Sequence, residues 1–173
     1  MAAGRAANVP VIDIETALRV LSSAGIEFIV VGGVAARAHG SARLTNDLDV
    51  VYRRTPENIA RLATALAPHS PYLRGAAPGL PFRWDPATIR RGLNFTLTTS
   101  LGDIDFLGEI TGGGGYDALV TRSKPIAAFG VDVRCLDLDC LIQVKRAAGR
   151  PRDLDAIAEL EVLLQERDRL EKP

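Results

Sequence analysis

IEFIVVGGVAARAHGSARLTNDLDVVY, residues 26–52, is the stretch from which the rest of the chain can be read. An apolar run from Glu27 to Val31 leads into Gly32-Gly33, a segment of small residues closed by Gly40, and then Asp47-Leu48-Asp49-Val50-Val51-Tyr52. Side chains alternate between the faces of a β-strand, so Asp47 and Asp49 fall on one face, roughly 6.5–7 Å apart along the chain, with Leu48 and Val50 on the other. Like charges on a strand expected to be largely buried are costly unless a cation neutralises them, and oxygen donors so placed suit Mg²⁺. Backbone N–H groups at a helix start attract anions, and glycine lets them approach a phosphate with no Cβ in the way. A lone Gly-Gly pair is better explained by a tight strand-to-helix turn with no ligand. Asp47 and Asp49 on the next strand tell against that plainer explanation.

Outward from this stretch, DIETALRVLSSA (13–24) predicts a helix with Asp13 as N-cap, Ile14, Leu18 and Leu21 at helical spacing, and Gly25 as the stop. Pro56 opens PENIARLATALA at the tolerated first turn. Residues 68–92 hold several prolines and glycines without a sustained period, which predicts a loop with short helical pieces. LNFTLTTS and DIDFLG, split by Leu101-Gly102, read as a hairpin whose second strand brings a third carboxylate. Asp105 is preferred to Asp103 because Ile104 and Phe106 flank it on both sides. The run Gly112 to Gly115 breaks order; PIAAF and VDVRCL pair across Gly130. DLDCLIQVKRAAG and PRDLDAIAELEVLLQERDRL are then helical, the latter with apolar positions Leu154, Ile157, Ala158, Leu160, Val162, Leu163 and Leu164.

The fold class expected is α/β (α+β), a mixed β-sheet backed by helices with further helices at the C-terminus. Residues 1–173 are expected to form one domain, its core spanning about 13–136 and its helical part about 137–170. Lysine plus arginine and aspartate plus glutamate number 21 each, so no global charge announces a nucleic acid or a membrane, and any such surface is local. No stretch approaches the ~18–20 apolar residues of a membrane span, and MAAGRAANVPVIDIE lacks the apolar segment of a signal peptide; a cytoplasmic protein is expected. Cys135 and Cys140 lack partners at metal-ligand spacing and are expected to be buried or free thiols. His39 and His69 have no partner pattern.

Three carboxylates on adjacent strands can hold two Mg²⁺ ions roughly 3.5–4 Å apart, one for an attacking hydroxyl and one for a triphosphate and its leaving group, with Mn²⁺ as an alternative ion. That chemistry is nucleotidyl transfer from an NTP. Neither GxxxxGK[ST] nor GxGxxG is present. With Gly32-Gly33, Asp47-x-Asp49 and the later Asp105, the chain resembles the DNA polymerase β-type nucleotidyltransferase superfamily. GGVAARAHGSARLTNDLD with KRAAGRPRDLDAIAEL is similar to the small bacterial branch that contains AbiEii-type toxin nucleotidyltransferases. This resemblance, over residues 13–165, implies Mg²⁺ dependence and transfer of a nucleoside monophosphate from an NTP to a hydroxyl with release of pyrophosphate. It implies that Asp47 and Asp49 bind both metals and that Asp105 binds the catalytic one and helps deprotonate the acceptor.

A triphosphate also needs basic residues. Arg43 corresponds to the arginine of an R-x-T-x-D-[LI]-D motif, and Lys145, Arg150 and Asp153 to a K-x-x-A-G-R-x-[KR]-D-L segment; a solvated or salt-bridged helix face is the alternative for the last group. Arg146, Arg150 and Arg152, with Arg53, Arg54, Arg90 and Arg91, are candidates for contact with an RNA backbone. The acceptor expected from the branch is an RNA such as tRNA, with a cognate antitoxin as partner. A small-molecule transferase acting on an aminoglycoside- or lincosamide-like hydroxyl, a protein nucleotidyltransferase, and a noncatalytic nucleotide- or partner-binding module are the alternatives.

Overall fold

A computed structural model describes residues 10–173. Residues 1–9 of the N-terminal MAAGRAANVPVIDIE, expected to lack a signal peptide, lie outside the described residues. Helix α1 (Ile14–Ser23) starts where Asp13 accepts hydrogen bonds from the Thr16 amide at 3.0 Å and the Thr16 hydroxyl at 2.7 Å, satisfying a donor that the first turn leaves free. Leu18 and Leu21 bury one face of it, and the chain leaves through Gly25 in the left-handed region. Strand β1 (Phe28–Val31) is buried along its whole length, as an unbroken apolar run predicts for a central strand. Then follow α2 (Gly32–Ala38), β2 (Asp47–Tyr52) and α3 (Pro56–Leu66), the last capped by Thr55.

Residues 68–92 form the expected loop with a short helical piece and, beyond that expectation, a short strand. They include β3 (Tyr72–Leu73) and α4 (Pro86–Arg91). What orders the loop is an aromatic cluster: Trp84 meets the Phe95 ring edge-on at 5.3 Å and packs against Phe106 at 5.7 Å, so the segment is fastened to the sheet despite lacking a period of its own. The expected hairpin is β4 (Phe95–Thr99) and β5 (Gly102–Leu107). The glycine run turns into a two-residue ladder, β6 (Glu109–Ile110) with β7 (Gly114–Gly115), before the short α5 (Tyr116–Leu119). Strands β8 (Ser123–Ala128) and β9 (Val131–Leu136) pair antiparallel across Gly130, as read from the sequence.

The result is a mixed seven-stranded sheet in the order β3-β4-β5-β2-β1-β9-β8. β2 runs parallel to β5 and antiparallel to β1, and β1 runs parallel to β9. Helix α6 (Leu138–Ala148) ends at Gly149 in the left-handed region and contributes Leu138, Leu141 and Ile142 to the same core. Helix α7 (Leu154–Glu171) is the expected C-terminal helix. Of its apolar positions Leu160 is buried and Ile157, Leu163 and Leu164 pack half-buried against the core, whereas Leu154 is 66% and Val162 58% exposed on the side that α6 does not cover. Cys135 and Cys140 are buried free thiols, and burial pushes the Cys135 thiol up to about 12. No helix among the described residues is long and apolar enough to cross a membrane.

Candidate active site

Register builds the centre of this molecule. In the parallel pair of β2 with β5, Asp47 lies opposite Asp103 and Asp49 opposite Asp105, while Val31 at the end of β1 lies opposite Asp49. Because both strands alternate in phase, all four carboxylates project from one face while Leu48, Val50, Ile104 and Phe106 fill the core on the other. Asp47, Asp49 and Asp105 each offer an oxygen within 4.8 Å of the others. The preference for Asp105 over Asp103 thus coincides with which carboxylate joins the group.

Gly32 and Gly33 have steric duties here. Gly32 lies at φ +63°, and a Cβ at this position would fall 2.1 Å from Asp49 Oδ2; a Cβ on Gly33 would meet Thr45 Oγ1 at 2.7 Å. The chain turns from β1 into α2 directly against the Asp49 carboxylate, which only a residue without a side chain permits. Thr45 in turn donates its hydroxyl to the Asp47 carbonyl at 3.0 Å, fixing the entry to β2.

Asp49 is the most perturbed acid of the group. Burial, then the charges of Asp47 and Asp105, push its pKa from 3.8 up to about 7, with Lys145 pulling weakly the other way. Burial also raises Asp105, against the opposing pull of the Arg74 guanidinium. Carboxylates that crowd one another and resist ionising together are the donor set that a hard, oxygen-seeking divalent cation satisfies, so these residues fit Mg²⁺ or Mn²⁺.

Asp49 and Asp105 open into a cleft of about 460 Å³ lined also by Gly32, Leu107, Lys145 and Arg150, among others. Lys145 is held there by Asp153, a buried acid 3.8 Å from its Nζ that also accepts a 2.6 Å hydrogen bond from Arg150 Nε. The structure thus brings Gly32, Lys145 and Arg150 to the carboxylates. It does not bring Arg43, whose Nε pairs with Glu159 on α7 at 3.2 Å.

The other basic candidates are mostly engaged elsewhere. Arg146 pairs with Glu161; Arg53 pairs with Glu27 and Asp117; Arg54 donates to the Ile89 and Arg90 carbonyls. His39 tethers α2 to the Leu136 carbonyl at 2.7 Å.

One cation in this centre was not read from the sequence. Arg74, immediately after β3, donates through Nη2 to Asp105 Oδ1 at 2.7 Å and to the Leu97 carbonyl at 3.0 Å. Its Nε lies 3.1 Å from Asp103 Oδ2, an ion pair without hydrogen-bond alignment, and its Nη1 lies 3.9 Å from Asp47 Oδ2. A two-residue strand between Pro71 and Gly75 carries no periodic signal that could have marked it.

No protein-family model matches the chain, and no curated protein matches it. Among solved structures it is similar to the crystal structure of a protein from Thermotoga maritima provisionally assigned as a nucleotidyltransferase. Identity is 14% and the TM-score 0.44 over 91% of this chain and 96% of that one, a distance at which the likeness carries no argument about activity.

Proposed function

We propose that this protein is a Mg²⁺-dependent nucleotidyltransferase that moves a nucleoside monophosphate from an NTP to an acceptor hydroxyl. The observation that carries the proposal is the convergence of Asp47, Asp49 and Asp105 within 4.8 Å beside a cleft that also holds Gly32 and Lys145. These three aspartates would hold the ion. When bound, Mg²⁺ supplies Lewis acidity and neutralises phosphate charge. Gly32 and Gly33 offer backbone N–H groups to the phosphates, and Lys145 offers a compact positive charge. The acceptor oxygen forms a bond to the α-phosphorus as the bond to the bridging oxygen breaks, pyrophosphate leaves, and the Asp105 carboxylate takes the hydroxyl proton. Arg43, on Glu159, would reach a phosphate only after that pair opens.

The acceptor class rests on the sequence resemblance: an RNA such as tRNA, in a toxin restrained by a cognate antitoxin. The test is incubation of the purified protein with each α-labelled NTP, Mg²⁺ and total RNA, beside an Asp47→Asn control. Label entering tRNA with the wild type alone is the expected result. Transfer to an added aminoglycoside, lincosamide or protein instead would keep the chemistry and replace the acceptor. No transfer to any acceptor would overturn the enzyme reading in favour of a noncatalytic nucleotide-binding module.

A further inference from the structure

The centre holds more acid than it needs. Four carboxylates leave one face of β2 and β5, yet three of them converge. The fourth, Asp103, accepts the Thr98 hydroxyl at 2.9 Å and lies against Arg74, whose contacts are divided between structural groups and the converging acids. Arg74 is anchored independently of any ligand: its amide donates to the Thr96 carbonyl at 3.0 Å and its Nη2 to the Leu97 carbonyl, which hold the residue on the edge of β4. From that anchorage the planar guanidinium reaches Asp103 with one nitrogen and Asp105 with another.

We propose that Arg74 is a positioning residue that sets the cation selectivity of the carboxylate centre, by withdrawing Asp103 and by restricting Asp105 to one free oxygen. The role rests on the metal centre proposed above and concerns which ion that centre accepts. Mg²⁺ demands a small octahedral shell and uses one or two carboxylates with water, whereas Ca²⁺ takes six to eight oxygens and accepts bidentate carboxylates. A bond from Arg74 on Asp105 Oδ1 opposes bidentate ligation by Asp105, and the contact with Asp103 keeps a fourth carboxylate out of the shell. Both effects penalise Ca²⁺ more than Mg²⁺. Arg74 also places a fixed positive charge at the centre, which weakens binding of either ion to a similar degree, so the ratio of affinities isolates the selectivity effect.

Calorimetric titration of Mg²⁺ and of Ca²⁺ into the full-length protein without nucleotide tests this. In Arg74→Gln, Ca²⁺ affinity is expected to rise by about tenfold or more and Mg²⁺ affinity by less, shifting the ratio toward Ca²⁺. Asp103→Asn, with Arg74 in place, is expected to leave the ratio near wild type, and the double variant to recover part of the shift. Should Arg74→Gln fail to fold, Arg74→Lys keeps the charge without the two-pronged reach, and its ratio is expected to move in the same direction. An unchanged ratio in the folded Arg74 variants, or weaker binding of both ions, overturns the role of Arg74 while leaving the metal centre intact. A wild type that binds neither ion overturns the metal centre and the role together.

Discussion

β2 and β5 carry the same pattern, aspartates alternating with buried apolar residues, and lie side by side in register, yet their carboxylates have different surroundings. Both acids of β2 face the centre, with the small turn at Gly32 beside Asp49 and, among the described residues, no hydroxyl or guanidinium bonded to the Asp49 carboxylate. On β5 they are divided, because the neighbouring β4 presents Thr98 opposite Asp103 and the chain just beyond β3 supplies Arg74. Alternation therefore decides which face an acid occupies, and the neighbouring strand decides what it does there. Arg74 touches both acids of β5, and what separates them is convergence: Asp105 reaches the oxygens of Asp47 and Asp49, whereas Asp103 turns to Thr98.

The largest expected effect breaks the β2 side. Asp49→Asn should lower nucleotidyl transfer on the order of 10³-fold, read from label incorporation at saturating Mg²⁺. The same change should stabilise the metal-free fold. Asp49 has a folded pKa of about 7 against 3.8 for the free group, so the metal-free wild type loses stability as pH rises through this interval, with the full loss present above it. Thermal melts in chelator from pH 4 to pH 8 should show a fall in the wild type that is smaller in the Asn variant, where the raised Asp105 remains. Gly32→Ala is next, for it drives a Cβ into Asp49 and imposes a left-handed backbone on alanine. We expect a loss of roughly 1–3 kcal/mol in denaturant titration and a marked fall in transfer.

The paired acids of β5 supply the sharpest contrast. Asp105→Asn should cost transfer on the order of 10²-fold and Asp103→Asn less than about fivefold, both measured as kcat/KM. Equal losses would erase the distinction between the two positions. Smallest is Arg43→Ala, which breaks a half-exposed pair with Glu159 and should change stability by no more than about 1 kcal/mol, read as a small shift of the denaturation midpoint.

The same contrast explains what the sequence could reveal. The strand DLDVVY, its Gly-Gly turn, the hairpin across Leu101-Gly102 and the capped helices were legible because each is set by residues near one another in the chain. Asp47, Asp49 and Asp105 emerged from alternation and apolar flanks. Arg74 did not, since its place depends on pairing of Tyr72 with Thr98 and Leu73 with Leu97, contacts between segments with no shared period. Arg43 shows the converse. Its position four residues before Asp47 suggested a phosphate ligand, but its partner Glu159 belongs to a helix more distant in the chain than any local pattern reports. The exposed Leu154 and Val162 have a similar origin, as helical spacing does not say how wide a strip the neighbouring helix covers.

The parallel register of β2 with β5 also bears on when the protein becomes competent during its synthesis. Asp49 and Asp105 are neighbours in space but distant in sequence, and the intervening chain must cross over before the two strands can dock. Such non-local pairing forms slowly compared with helices and hairpins. A nascent chain that ends before Asp105 therefore carries part of the proposed centre, and one that has reached β5 still lacks Lys145 of α6. On the proposed function, competence therefore waits until α6 has joined the paired strands.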